Sequence, residues 1–303
     1  MNHEGTRIRK DTKLNRGFVI LAIIVNFVVD IICHRMLILA LDTTTRAGSC
    51  ALARDGRVIL EEGSDVSLRP AARLPGDLMA LLEHAGVRLD EVDLFAVATG
   101  PGSFTGLRIG IATMQGLAFA AGKPLIGVSG FDALAATCRA DLYGPTGAPD
   151  KARPARVATL VDAWRGEVYA ALYEPGAAAP EPVVALPADL LERYDARSGG
   201  PDPTAPKASS GQASVRPTGG TGEVITFVGD GAATYRDLIL ATLGDRARIA
   251  EPPAPLIAGV IAQLATRAAE AGELPPPHAI RPLYVRRPDV EIVRDAPPTR
   301  DRA

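Results

Sequence analysis

The segment GPGSFTGLRIG, residues 100–110, constrains the fold more than any other part of this chain. It follows the apolar run LFAVAT (94–99) and leads into Leu107, Ile111, Met114 and Ala118, which recur at helical spacing. A buried strand therefore enters a glycine loop and leaves as a helix. Gly100, Gly102 and Gly106 permit tight turns and close backbone approach where a side chain would collide. With the hydroxyls of Ser103 and Thr105, such a loop could cradle a phosphate on backbone N–H groups and the helix dipole. It lacks a GK[ST] ending and does not match G-x-G-x-x-G. The competing reading is that the glycines let the helix seat tightly on the sheet.

Two further features share this logic. LILAL (37–41) reads as a buried strand ending in Asp42, followed by Thr43, Thr44 and Thr45. In a phosphate loop an Asp there would orient water or magnesium while hydroxyls bond phosphate oxygens; in a plain turn the same side chains would bond local backbone. LVDA and VGDG end strands in the same way at Asp162 and Asp230. Three apolar strands that each deliver a carboxylate to a loop predict two domains of related design facing a cleft. Asp162 could equally stabilise the WRG turn that follows it, and Arg108 could pair with a nearby acid.

The order along the chain predicts a mixed sheet covered by helices. SCALARDGRVILEEG gives two strands around Asp55-Gly56, a dipeptide that favours a type I′ hairpin. Leu74, Leu78, Leu81, Leu82 and Ala85 then mark an amphipathic helix that Gly86 can end. The expected layout is a first domain over 36–143, a Pro/Gly-rich linker over 144–156 and a second domain over 157–292, which includes a late helix in LIAGVIAQLATRAAEAG. Residues 196–222 hold almost no large apolar side chain and are expected to be a disordered insertion, as is the charged, Pro-rich tail 293–303. Residues 1–35 carry a basic stretch and the apolar run from Phe18 to Ile32, which is shorter than the ~20 residues a spanning helix needs and is interrupted by Asn26 and Asp30. They are expected to be an extension ahead of a true start at Met36, so no membrane association is expected.

Charge and metal-binding residues exclude several function classes. Lys and Arg total 33 against 35 Asp and Glu, so no global basic field grips a phosphate backbone. Cys33, Cys50 and Cys138 form no Cys-x-x-Cys pair and fit reduced thiols of the cytoplasm. His3, His34, His84 and His278 include no His-x-x-x-His pair, so no metal site is expected.

MLILALDTTTRAGSCAL, ATGPGSFTGLRIGIAT with PLIGVSG, LVDAWRGEVYAALY, FVGDGA and RPLYVRRPD resemble, in this order, segments of the TsaB family of tRNA threonylcarbamoyladenosine biosynthesis proteins. The resemblance runs from Met36 to about Asp289, apart from the insertion. It implies an actin-like (ribonuclease H-like) α/β fold of two domains and a cytoplasmic, non-catalytic scaffold subunit. The implied partners are a TsaD-like catalytic paralogue, a TsaE-like ATPase and, through the complex, tRNA; a homodimer is a further expectation. No cofactor is firmly implied, and a nucleotide is expected only in the assembled complex. The paralogue's helical His-x-x-x-His site would lie near Pro70–Leu74 here, where no histidine stands. The family pairs the two helices of its first domain with a partner, which makes Leu74, Leu78, Leu81, Leu107, Ile111 and Met114 candidates for that contact. The alternative is a stand-alone nucleotide-binding or kinase-like enzyme that uses Asp42 and the glycine loop.

Overall fold

A computed structural model describes residues 36–45, 48–64, 70–138, 156–197 and 223–285. The expectations for 1–35, for the insertion beyond Arg197, for the tail and for all of the linker but Arg156 lie outside the described residues.

The first lobe opens with β1 (Leu37–Asp42), β2 (Ser49–Arg54) and β3 (Arg57–Gly63). Asp55 (φ 51°) and Gly56 (φ 73°) both sit in the left-handed region, so the two-residue turn has the twist that keeps the hairpin closed. Helix α1 (Pro70–His84), β4 (Leu94–Ala98), α2 (Phe104–Ala121), β5 (Leu125–Val128) and α3 (Gly130–Cys138) follow. The second lobe holds β6 (Arg156–Asp162), β7 (Val168–Tyr173), β8 (Val183–Ala185), α4 (Pro187–Arg197), β9 (Ile225–Val228), α5 (Asp230–Thr234), α6 (Arg236–Leu243) and β10 (Ala247–Ile249); α7 (Ala258–Glu270) ends the regular structure.

The two sheets have the same topology. Their strand orders are β3-β2-β1-β4-β5 and β8-β7-β6-β9-β10, antiparallel through each opening hairpin and parallel beyond it. This repeat of one design is the actin-like arrangement. In the first sheet Leu39, Leu41, Leu52, Phe95 and Val97 pack with α1 and α2 on one face. In the second, Leu160, Ala170 and Phe227 pack with Leu190, Leu191, Ile239 and Leu243 of α4 and α6.

The late helix corrects the expected domain assignment. Helix α7 packs across β1 to β5, so it belongs to the first lobe although it follows the last strand of the second. Reciprocally, α3 follows the first sheet and packs on β6 and β9 as well as on α7. Residues 277–284 also lie on the first lobe: Ile280 enters its core, Leu283 N–H donates to Thr99 O at 2.7 Å, and Gln115 Nε2 donates to Pro277 O at 2.8 Å. Helical periodicity places Ile261 and Ala265 on an apolar face but is silent on which sheet that face covers.

First-lobe side chains also cap α7. Ser49 Oγ accepts from Ala258 N–H at 3.1 Å and Glu61 Oε1 accepts from Gly259 N–H at 2.8 Å, satisfying donors that a helix start leaves open. Burial raises the Glu61 carboxyl above its ordinary value near 4.5, against the opposing pull of these amides. An acid with a raised folded-state pKa supplies stability below its unfolded pKa that is lost as pH climbs through the folded one. Glu61→Gln keeps an acceptor and removes the titration. Its stability relative to wild type is therefore expected to grow from about pH 4.5 upward and to level off above the raised value; urea unfolding across pH checks this.

Cys50 is buried, and its thiol is pushed up to about 12, mainly by burial with Asp77, Glu62 and Glu61 adding to it. It is an inert filler of the core. Among the described residues no helix is long and apolar enough to cross a membrane.

Candidate functional site

Two of the three carboxylates, Asp162 and Asp230, line a small cleft between the lobes, while Asp42 lies fully buried and bonded to Thr44 and Thr45, which also line it. Asp42 ends β1, Asp162 ends β6, and Asp230 opens α5 directly after β9. Thr44, Thr45, Ser103, Asp162, Trp164 and Asp230 line a cavity of about 30 Å³. That is near the space one ordered water needs and far below the roughly 300–1,000 Å³ of small-molecule sites.

The polar groups of the first-lobe loops are turned on one another. Asp42 is fully buried; its Oδ1 accepts from Thr44 N–H at 2.8 Å and from Thr44 Oγ1 at 2.6 Å, and its Oδ2 accepts from Thr45 Oγ1 at 2.6 Å. Thr43 Oγ1 donates to Gly106 O at 2.9 Å. Ser103 caps α2, its Oγ accepting from Gly106 N–H at 3.2 Å. Thr105 is exposed on the first turn.

The glycines are spent on this contact. A Cβ on Gly102 would stand 2.4 Å from Thr44 O, and one on Gly106 would stand 2.4 Å from Thr43 O. The start of α2 is thereby pressed onto the Thr43–Thr45 loop with no room for a phosphate between them. Gly100 carries a φ of 114° and its carbonyl accepts from Gly130 N–H at 2.8 Å, tying the loop to the start of α3.

Across the cleft, Asp230 Oδ1 accepts from Asp162 N–H at 2.9 Å, and Asp162 Oδ1 accepts from Trp164 N–H at 2.9 Å. Asp162 thus stabilises the turn after β6, in which Trp164, Arg165 and Gly166 all have positive φ. Among the described residues no three His, Cys, Asp or Glu side chains gather closely enough to hold a metal ion. Magnesium-bound nucleotide does not fit this cleft as it stands, because its volume is too small and both Asp42 oxygens are already engaged.

The six apolar helix residues are buried. Leu74, Leu78, Leu81, Leu107, Ile111 and Met114 are only 0–4% exposed and face the lobe's own interior. In the free chain this periodic stripe is core. The outward faces of α1 and α2 carry a second stripe, with Pro75, Gly76 and Met79 exposed on one helix and Ala112, Gly116, Phe119 and Ala120 on the other. Phe119 is 85% exposed and Met79 59%. A groove of about 880 Å³ runs between the C-terminal ends of the two helices, lined by Met79, Leu82, Val87 and Ala121 among others.

Among the described residues Arg108 meets no acid; its Nε donates to Tyr284 OH at 2.8 Å and its guanidinium lies 4.0 Å from the centre of the Phe104 ring. The link to Tyr284, 176 positions away, left no local trace in the sequence. Trp164, 62% exposed at the cleft mouth, was legible only as part of a turn.

The family model for TsaD, tRNA N6-adenosine threonylcarbamoyltransferase, matches residues 69–293. The tRNA threonylcarbamoyladenosine biosynthesis protein TsaB of Escherichia coli is 39% identical over 142 residues, 46% of this chain and 55% of the relative. TsaB of Bacillus subtilis is 32% identical over 141 residues, covering 46% and 56%. The chain spans about half the length of these relatives. Among solved structures, YeaZ from Pseudomonas aeruginosa aligns with a TM-score of 0.54 at 28% identity, over 82% of this chain and 99% of that one. A second Pseudomonas aeruginosa structure, described as an uncharacterized protein with similarity to peptidase YeaZ, gives 0.58 at 27%, over 83% and 100%. The residues matched by the family model hold β4 and β5, the whole second sheet, the glycine loop and the exposed stripe of α1 and α2, and the chain belongs to the TsaD family, with TsaB proteins among its relatives.

Proposed function

We propose that this chain is a scaffold subunit of a tRNA threonylcarbamoyladenosine-forming complex, without catalysis of its own. It supports a TsaD-like subunit that transfers threonylcarbamoyl to the adenosine beside the anticodon. The observation that carries this reading is the exposed apolar stripe of α1 and α2. A free monomer rarely leaves side chains such as Phe119 and Met79 in water on adjacent helices, and the small residues between them let a partner's helices approach closely. The closed cleft, with its carboxylates and hydroxyls satisfied internally, supports a structural use of what in an enzyme would be phosphate loops.

The complex is expected to include a TsaE-like ATPase and to contact tRNA mainly through the partner, since the chain has no net positive charge. Reconstitution tests the reading: this protein is combined with its organism's TsaD-like and TsaE-like proteins, tRNA and threonylcarbamoyl-adenylate. Modification is expected only when the chain is present. Undiminished modification in its absence, or transfer by the chain alone, overturns the scaffold role. A nucleotide enzyme would need the cleft to open. Titration calorimetry with Mg-ATP on the isolated chain is expected to show no binding.

A further inference from the structure

A third cavity, apart from the interlobe cleft and the groove beside α1 and α2, opens at β9 and β10 of the second sheet beside the C-terminal end of α3. Its volume is about 310 Å³, at the lower end of the range for small-molecule sites, roughly 300–1,000 Å³. Thr226 of β9 and Arg248 of β10 are register partners, so their side chains share one face of the parallel pair on strands about 4.8 Å apart. That face is opposite the one carrying Ile225, Phe227 and Ile249 into the core.

Thr226 is the unusual member. It is 4% exposed, and its buried hydroxyl has no hydrogen-bond partner among the described residues. Buried hydroxyls are nearly always partnered because desolvation without compensation is costly. Arg248 beside it is exposed, and no ion pair or hydrogen bond from a described residue reaches its guanidinium. Ala250, Pro252, Pro255 and Cys138 supply an apolar remainder, while Glu251 at the rim is engaged by Arg236 at 3.5 Å.

We infer that this cavity is a binding site for a small carboxylate with a compact apolar body. The guanidinium fork holds the carboxylate. The Thr226 hydroxyl donates to one of its oxygens, and the Ala and Pro lining covers the apolar part. One cation and one hydroxyl donor balance a single negative charge; a phosphate dianion would leave a charge uncompensated beside Glu251. The inference does not depend on the scaffold reading.

Benzoate is the probe and benzamide its neutral isostere, with amide NMR on the full chain as the readout. Benzoate is expected to shift the Thr226, Arg248 and Ala250 amides saturably, and benzamide to bind about tenfold more weakly or not at all. Arg248→Met is expected to weaken benzoate about tenfold and Thr226→Val about threefold. Thr226→Val should melt at or above the wild-type temperature, because it removes a hydroxyl without a partner. Absence of saturable shifts, equal binding of benzamide, or Arg248→Met binding benzoate as wild type does overturns the site. A clear loss of melting temperature in Thr226→Val overturns the unpartnered hydroxyl on which it rests.

Discussion

Gly106→Ala is expected to destabilise the chain by about 3 kcal/mol, a drop in melting temperature of roughly 6–12 °C for a domain of this size. The added methyl would stand 2.4 Å from Thr43 O and 3.3 Å from the Ser103 side chain. The first is a backbone atom and cannot swing aside. Relief requires α2 to lift from the Thr43–Thr45 loop, which also strains the Thr43 Oγ1 to Gly106 O bond and the Ser103 cap. Gly116→Ala, on the exposed side of the same helix, meets nothing within 4 Å and is expected to stabilise by about 0.5–1 kcal/mol. Thermal and urea unfolding of the pair separates close packing from helix propensity. If Gly106→Ala were tolerated as well as Gly116→Ala, the loop would not be seated as described, and space for a phosphate would remain.

These glycines show where sequence reasoning reaches and where it stops. The pattern strand, glycine loop, helix was legible, as was the first hairpin, because Asp55-Gly56 favours the left-handed backbone of its turn, and Trp164-Arg165-Gly166 was legible as a turn. The choice between a phosphate cradle and a packing contact was not legible. It depends on what lies opposite Gly102 and Gly106, and Thr43 and Thr44 come from a loop some 60 positions earlier. Short elements also escaped the pattern: β8 and β10 have three residues each, and α3 reads as a run of small residues. The return of α7 to the first sheet is a purely tertiary fact, fixed by Ser49 and Glu61 reaching its open amides.

The same limit bears on which stripe meets a partner and leads to the second large effect. Leu78 and Met79 are neighbours in α1, yet Leu78 is 3% exposed and Met79 59%. An apolar period alone selects the buried stripe, since the core is the larger consumer of such residues. The outward stripe has only small residues around Met79 and Phe119, a weak signal in sequence but one with a clear physical use between helices. Met79→Asp combined with Phe119→Asp is expected to leave the melting temperature within about 2 °C of wild type, as surface changes do. It is expected to weaken association with the TsaD-like protein at least ~100-fold, since buried anchors of an interface are each worth about 2 kcal/mol or more and a carboxylate adds desolvation cost. Leu78→Asp is the opposite case, expected to cost about 4 kcal/mol or more in folding by placing an unpaired charge in the core. Light scattering and pull-down on the three proteins distinguish the possibilities. Full association by the folded double variant would mean that the partner docks on another face. Folded Leu78→Asp with lost association would restore the inner stripe as the interface and require α1 to roll outward in the complex.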